Sequence, residues 1–363
     1  MPKLKLIQVM PEFGLAGAET MVESLIMSLD REKVDILIVS LYDFHSPITE
    51  RLEKNGYKIC YLNKKPGLDI SIFSKMYNIF KEFKPDIIHT HRYVLQYVVL
   101  PKMLIKKCRI VHTVHNIAQK EVPKLQRMFQ KKYFKYLKII PVAISNLIQD
   151  TIIEEYKLKK EKVPVIINAI DLRKCIKKTK YKKSNIILNV GRLSEQKNHK
   201  LLIDVFNEIH KAYPKYILKI VGQGELEEEL KKKVSDLGLK KSVIFEGVKP
   251  ECFSYMNEAD MFVMTSLWEG LPITLIEAMG TGLPIVTSNV GGIPDIIESY
   301  KNGIIVEGTI ENFKKEIINL IEEESLRESI GKGSIESSKK YSAENMGKQY
   351  MKLYKEVLSK TSL

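Results

Sequence analysis

The sequence predicts an α/β protein made of two Rossmann-like, doubly wound parallel-sheet domains. Three observations predict it. Short apolar runs alternate with helix-period segments from end to end. The alternation comes in two successive series, and a lysine-dense stretch without apolar periodicity separates them. A chain of 363 residues is long enough for each series to enclose its own core.

In the first series, residues 4–10, 34–41, 58–62, 87–89, 110–114 and 139–144 read as strands, with helical patterns such as 17–29 and 70–83 between them. In the second, residues 186–190, 216–221, 243–246, 261–264 and 285–287 read as strands, interleaved with helices at 200–212, 226–237, 273–279 and 310–323. Residues 171–184 are the expected linker. They divide a first domain, 1–170, from a second, 185–340, and residues 341–363 read as a C-terminal helix packing back on the first domain. Doubly wound sheets bind ligands at the carboxyl ends of their strands, so two such domains are expected to leave a cleft there.

Hydrophobic content of 44% and charged content of 28% are ordinary for a globular protein. The four cysteines, Cys60, Cys108, Cys175 and Cys252, form no C-x-x-C pair and no metal-ligand spacing, which points to a reducing, cytoplasmic setting. No run approaches a membrane span, and the N-terminal apolar run is shorter than a signal peptide requires. The formal charge of +14 suggests an anionic partner: a phosphorylated substrate or an acidic membrane surface. Nucleic acid is disfavoured, because no reading module accompanies the basic residues.

The most informative segment runs from Trp268 to Pro284, W-E-G-L-P-I-T-L-I-E-A-M-G-T-G-L-P. Glu269 and Glu277 flank a Gly270-Leu271-Pro272 turn and the start of a helix. Pro272 suits the first helical position, and Gly280 and Gly282 are expected to stop the helix. Free N–H groups at a helix start suit a phosphate, and carboxylates accept hydrogen bonds from hydroxyls, so the pair suggests a nucleotide sugar. A hydrolytic acid pair would sit about 5–9 Å apart. Eight residues of uninterrupted helix would span about 12 Å, so two separate hydroxyl contacts fit better. One capping and one exposed glutamate is the bland alternative.

Residues 188–198, L-N-V-G-R-L-S-E-Q-K-N, place Gly191, Arg192 and Lys197 just after a strand. Gly191 permits a sharp turn, Arg192 can grip phosphate oxygens with two donors, and Lys197 adds a point charge. Together they are expected to neutralise a diphosphate without metal, and no D-x-D pair is present to hold a divalent ion. The V-G-Q-G-E stretch at 221–225 is a weak signal by itself. Residues 245–250 are read as a nucleobase rim near Val248. In the first domain, Gly14 and Gly17 in E-F-G-L-A-G-A-E lack dinucleotide-fingerprint spacing, yet Gly17 allows close approach to a phosphate. His115, ending H-T-V-H-N, is placed to meet a sugar hydroxyl or the attacking group; His89, His91 and His112 read as structural.

Residues 124–138 carry six basic side chains and no acidic one. Leu125, Met128, Phe129, Tyr136 and Leu137 recur at helical spacing, with Lys124, Arg127, Lys131, Lys135 and Lys138 on the opposite face. Such a helix reads either as a core-facing stripe with a solvated back or as a peripheral contact with an anionic membrane, Lys124 to Lys138 supplying the charge.

These pieces, in this order, resemble the retaining glycosyltransferases of family 4, whose GT-B fold has two Rossmann-like domains facing across a cleft. The likeness covers most of the chain and is densest from Leu188 to Gly303. The signature E-x7-E falls on Glu269 and Glu277, and the G-R-x-x-x-x-K donor loop on Gly191, Arg192 and Lys197. By this resemblance Glu277 binds the donor ribose and Glu269 the transferred sugar. Arg192 and Lys197 hold the diphosphate, helped by backbone N–H groups near Thr274 and Leu275, and His115 sits at the sugar beside the acceptor. Ala16-Gly17 stands where many members have Gly-Gly, and Asn168-Ala169-Ile170-Asp171 where N-G-I-D is common.

The resemblance implies a nucleotide-diphosphate sugar, UDP-linked or otherwise, as donor, a glycan or lipid-linked acceptor, no cofactor, and a role in capsular, exopolysaccharide or lipopolysaccharide synthesis. Two rivals share the pattern: a GT-B nucleotide-sugar 2-epimerase, and a glycosyltransferase-like partner subunit without turnover. The intact Glu269, Glu277, Arg192 and Lys197 favour transfer over both.

Overall fold

The computed structural model describes residues 2–105 and 108–359. The chain forms two compact units, Met1–Ala169 with Ala343–Leu363, and Ile170–Ser342. In the first, β1 (Leu4–Met10), β2 (Val34–Ser40), β3 (Lys58–Tyr61), β4 (Ile87–His91), β5 (Arg109–Val114) and β6 (Ile140–Ala143) make one parallel sheet in the order β3-β2-β1-β4-β5-β6. In the second, β7 (Ile186–Val190), β8 (Ile217–Val221), β9 (Val243–Gly247), β10 (Met261–Met264), β11 (Ile285–Ser288) and β12 (Ile304–Val306) follow the same plan, β12-β11-β10-β7-β8-β9. The strands are apolar runs because helices cover both faces of such sheets. The helix His199–Ala212 shows the matching pattern: Leu202, Ile203, Phe206 and Ile209 recur at helical spacing and are buried in the core of the second unit.

The winding direction reverses between β1 and β4 and again between β7 and β10. Loops that follow these strands therefore border the crevices where doubly wound sheets bind ligands. The eleven strands expected from the sequence form, and β12 is added. Three residues, I-I-V, are too few for a periodicity reading, and only pairing with β11 makes them a strand. β4 runs to His91, beyond the expected 87–89, because its histidines find hydrogen-bond partners inside the unit.

Residues 171–184, expected as a linker, are packed into the second unit. Tyr181 and Cys175 are buried, and the Lys178 ammonium donates to the carbonyls of Asn257 (2.6 Å) and Ala259 (2.7 Å). Lysine density misleads here because a lysine stem buries readily when its head reaches the free carbonyls of a helix end. Arg327 completes the clamp: fully buried, it donates to the carbonyls of Tyr181 (3.0 Å) and Ile321 (3.1 Å).

The C-terminal helix Ala343–Ser359 belongs to the first unit and lies against the helix Gly17–Ser28. A β-carbon at Gly347 would lie 2.4 Å from Ser28 Oγ, so glycine is what permits this approach.

Among the described residues no helix is long and apolar enough to cross a membrane. The helix Lys124–Tyr136 departs from its expected two-faced arrangement. Its buried residues are Gln130 and Phe134, while Leu125, Met128, Phe129, Tyr136 and Leu137 are exposed beside the lysines. Arg127 is not a free cation: it pairs with Glu155 at 3.0 Å and donates to the Gln119 and Val122 carbonyls.

Replacing the buried Arg327 by leucine should strand those carbonyls and lower the stability of the second unit by about 2–4 kcal/mol. Urea unfolding of Arg327→Leu against the wild-type protein measures this.

Candidate active site

The second unit builds its site at the β7/β10 reversal. The loops after β7 and β8 are laced together: Gly191 N–H donates to the Val221 carbonyl (2.9 Å) and Leu193 N–H to that of Gln223 (3.1 Å). A β-carbon at Gly222 would lie 2.0 Å from the Gly191 oxygen, and one at Gly224 2.3 Å from the Leu193 oxygen. The G-x-G of 221–225 therefore exists to let two backbones touch. Behind them, His199 Nε2 meets Asn189 Oδ1 at 2.9 Å and Asn189 donates to the Val263 carbonyl, tying β7 to β10. Burial, then the charge of Lys197, pushes the His199 pKa down to about 4, so this link is neutral.

Lys197 lays its stem along Gly191 and reaches Glu269 Oε1 at 2.6 Å. Glu269 is only 4% exposed and also accepts from Ser266 Oγ (2.6 Å) and Gln196 Nε2 (3.2 Å). Gln196 additionally donates to the Trp268 carbonyl, and Leu267 N–H returns a bond to Gln196. From beyond β11, Gly291 packs so closely that a β-carbon would stand 2.1 Å from the backbone carbonyl oxygen of Glu269, and Gly292 N–H bonds the Gly270 carbonyl at 2.8 Å. Three loops thus converge on this residue, two at its carboxylate and one at its backbone. Sequence reasoning missed Gln196, Ser266 and Gly291. The first two carry no motif of their own, and the one signal for Gly291 is that it lies within Leu188 to Gly303, where the family likeness is densest.

The other expected residues are placed differently. Arg192 is 73% exposed and pairs with the exposed Glu225 at 3.1 Å, a contact weak enough in water to exchange for another anion. The helix Ile273–Thr281 starts after Pro272, which is the cap rather than the first helical residue. Leu275 N–H is already bonded to the Pro272 carbonyl (3.2 Å), which leaves Ile273 and Thr274 as the N–H groups without an acceptor among the described residues. The side chains of Leu271 and Leu275 are in the core, so only their backbones can face a ligand. Gly280 does not stop the helix. It lies within it, where a β-carbon would meet Cys175 Sγ at 2.6 Å, and left-handed Gly282 (φ +79°) is the stop. Val248 is exposed just beyond Gly247, whose carbonyl accepts from Gly222 N–H at 2.9 Å.

Glu277 stands outside the Glu269 network. It is half-buried and accepts no hydrogen bond among the described residues. Loss of hydration raises its pKa from 4.5 to about 7, against the pull of Lys174 and with a further push from Glu251.

In the first unit, Gly17 opens its helix after Ala16, with no side-chain cap on the N–H groups there. His115 follows β5 and is half-buried; its Nε2 lies 3.1 Å from His91 Nδ1 and its backbone N–H donates to Glu121 Oε1 (3.3 Å). Burial, then Arg92 and His112, brings its pKa down to about 3. Burial also raises Glu121 to about 7. Arg92, in left-handed backbone (φ 56°), binds the buried Glu19 at 2.6 Å. Arg92, Glu19 and Glu121 were not singled out in the sequence, since nothing local connects three residues that only the fold assembles around His115. His89, His91 and His112, read as structural, are fully buried. Among the described residues no group of three or more His, Cys, Asp or Glu side chains is placed to hold a metal ion.

Residues 15–174 match the family described as Glycosyltransferase Family 4, and residues 173–337 that described as Glycosyl transferases group 1. Two six-stranded parallel units with these matches define a glycosyltransferase of the GT-B fold. The chain belongs to the family 4 glycosyltransferases. It is 27% identical over 352 residues to the Escherichia coli UDP-Gal:alpha-D-GlcNAc-diphosphoundecaprenol alpha-1,3-galactosyltransferase, covering 89% of each chain. An uncharacterized glycosyltransferase of Methanocaldococcus jannaschii is 29% identical over 238 residues, spanning 59% of this chain and 58% of that one. Anabaena HepE, solved in complex with UDP and glucose, shares the fold with a TM-score of 0.84 at 18% identity, over 96% of this chain and 99% of its own.

A carboxyl whose pKa is raised on folding destabilises the native state as pH climbs from the unfolded value of 4.5 to the folded value of about 7. Glu277→Gln removes that penalty. Its melting temperature should exceed the wild-type value above pH 7, and the gap should close toward pH 4.5, as followed by thermal denaturation across pH.

Proposed function

We propose that the protein is a retaining, metal-independent glycosyltransferase that moves a sugar from a UDP-linked donor to a hydroxyl of a glycan or lipid-linked acceptor in cell-surface polysaccharide synthesis. The observation that carries this is the buried Glu269 carboxylate, held by Lys197, Ser266 and Gln196 at the β7/β10 reversal. The choice of UDP and of a lipid-diphosphate acceptor draws on the E. coli relative, whose name states both, and on HepE, solved with UDP.

Each residue has a role in this reading. Glu269 accepts hydroxyls of the transferred sugar through its remaining lone pairs. Arg192, released from Glu225, and Lys197 stabilise the diphosphate as its charge develops, with the free N–H groups of Ile273 and Thr274. Glu277, as carboxylate, accepts the ribose hydroxyls; Val248 edges the base; Gly17 admits the phosphate, and His115 meets the sugar. As the anomeric carbon–oxygen bond to phosphate breaks, the acceptor oxygen attacks on the same face, and its proton passes to the departing phosphate oxygen. No side-chain base is then required.

A thermal-shift screen over UDP-, GDP- and ADP-sugars should show stabilisation by a UDP-sugar, since a ligand bound only to the native state raises its melting temperature. Arg192→Ala should reduce kcat/KM by about 10²- to 10³-fold, the scale expected for losing one preorganised donor. Transfer that is abolished by chelator and returns only with divalent ion would refute metal independence.

The same reading includes peripheral contact with an anionic membrane. Leu125, Met128, Phe129 and Tyr136 are exposed among Lys124, Lys131, Lys132 and Lys135, and Leu100, Met103 and Leu104 on and just beyond the helix Leu95–Met103 are exposed as well. Apolar side chains level with lysines suit the headgroup boundary. Neutralising Lys131, Lys132 and Lys135 should weaken sedimentation with phosphatidylglycerol vesicles by about 1 kcal/mol per charge, and unchanged binding would reject the contact.

A further inference from the structure

The first unit buries a run of polar side chains that ends at His115. Gln8 on β1, His89 and His91 on β4, and Thr113 on β5 are fully buried, as are Tyr350 and Tyr354 of the helix Ala343–Ser359. Gln8 Oε1 lies 2.9 Å from His91 Nε2, and His91 Nδ1 lies 3.1 Å from His115 Nε2. The His89 ring packs on His91 with centroids 4.1 Å apart. His89 is itself fixed at both nitrogens, by the Tyr354 hydroxyl (2.7 Å) and Thr113 Oγ1 (2.8 Å).

Donor and acceptor chemistry gives this run a direction. The Gln8 carbonyl oxygen can only accept, so His91 carries its proton on Nε2. A neutral imidazole has one N–H, which leaves His91 Nδ1 as an acceptor and requires His115 Nε2 to donate. His115 Nδ1 then keeps its lone pair. Burial keeps both rings neutral: it drives His91 well below its ordinary pKa and His115 to about 3. Gln8 Nε2 has no hydrogen-bond partner among the described residues, and turning that amide over, with its N–H facing His91, would reverse the order.

We propose that His91, held by Gln8, is a positioning residue that fixes His115 as the Nε2–H tautomer, so that His115 Nδ1 serves as a hydrogen-bond acceptor for a substrate hydroxyl. The functional half rests on the reading that His115 meets the substrate; the tautomer does not. A phosphate oxygen or carbonyl, which cannot donate, is thereby refused at Nδ1.

Long-range ¹⁵N–¹H correlation spectra of the protein labelled at its seven histidines test this. His115 is assigned by loss of its signal in His115→Asn. The expected spectrum shows His115 protonated at Nε2 and not at Nδ1; an Nδ1–H signal in the wild-type protein overturns the proposal, without need of substrate or of any variant. In His91→Phe the tautomers of His115 should mix, and kcat should fall by about 10- to 100-fold, the scale of a misplaced reacting group, with donor KM little changed. His91→Asn, whose carbonyl can stand where Nδ1 stood, should restore most of that loss. An unmixed Nε2–H signal in His91→Phe overturns the positioning role. If the tautomer is as expected but His115→Asn transfers sugar normally, the role of His115 at the substrate falls while the relay stands.

Discussion

The second unit depends on the ion pair between Lys197 and Glu269. A carboxylate with 4% of its surface exposed is costly to bury unless a cation and further donors replace its water. Here the replacements come from separate loops: Lys197 and Gln196 after β7, and Ser266 after β10. Gly291, after β11, closes the other side by bringing backbone against backbone. Each loop is held because Glu269 needs what it carries, and Glu269 is held because all of them are there. The result is a carboxylate whose position is set before any ligand arrives, which is the condition for electrostatic preorganisation.

The two glutamates of E-x7-E are therefore physically unlike. Glu269 is held by three charged and neutral donors, whereas Glu277 is half-buried without a hydrogen bond among the described residues, and burial raises its pKa to about 7. An unsatisfied acceptor is poised to take several donors from a ligand, and a firmly held one to orient what it touches. Spacing alone suggested two separate contacts, and the environments show why they are not interchangeable.

The first unit solves a related problem with neutral groups. Four histidines at the carboxyl ends of β4 and β5 are held uncharged by burial. Both nitrogens of His89 and His91 are matched to hydroxyls, an amide and His115, while His112 is held at Nδ1 by Thr90. The C-terminal helix supplies Tyr350 and Tyr354 to this network. A chain end more than 230 residues away in sequence thus helps to order the strand ends around His115, in keeping with the sequence separation of 237 between Thr113 and Tyr350.

The sequence by itself determined the two parallel-sheet series and their strands other than β12, and it singled out Gly191, Arg192, Lys197, Glu269 and Glu277 as candidate site residues. Apolar period and turn chemistry are local properties, so they are legible wherever a strand or helix has enough residues to show them. Only the tertiary structure decided that residues 171–184 are packed rather than linking, that Gly280 lies inside its helix, and that Leu125 and Phe129 are exposed. It alone joined Gln196 and Ser266 to Glu269, Gly222 to Gly191, and Gln8 to His91. Burial, close backbone approach and hydrogen-bond partnership are relations between distant residues, and no local pattern encodes which distant residue will be the neighbour.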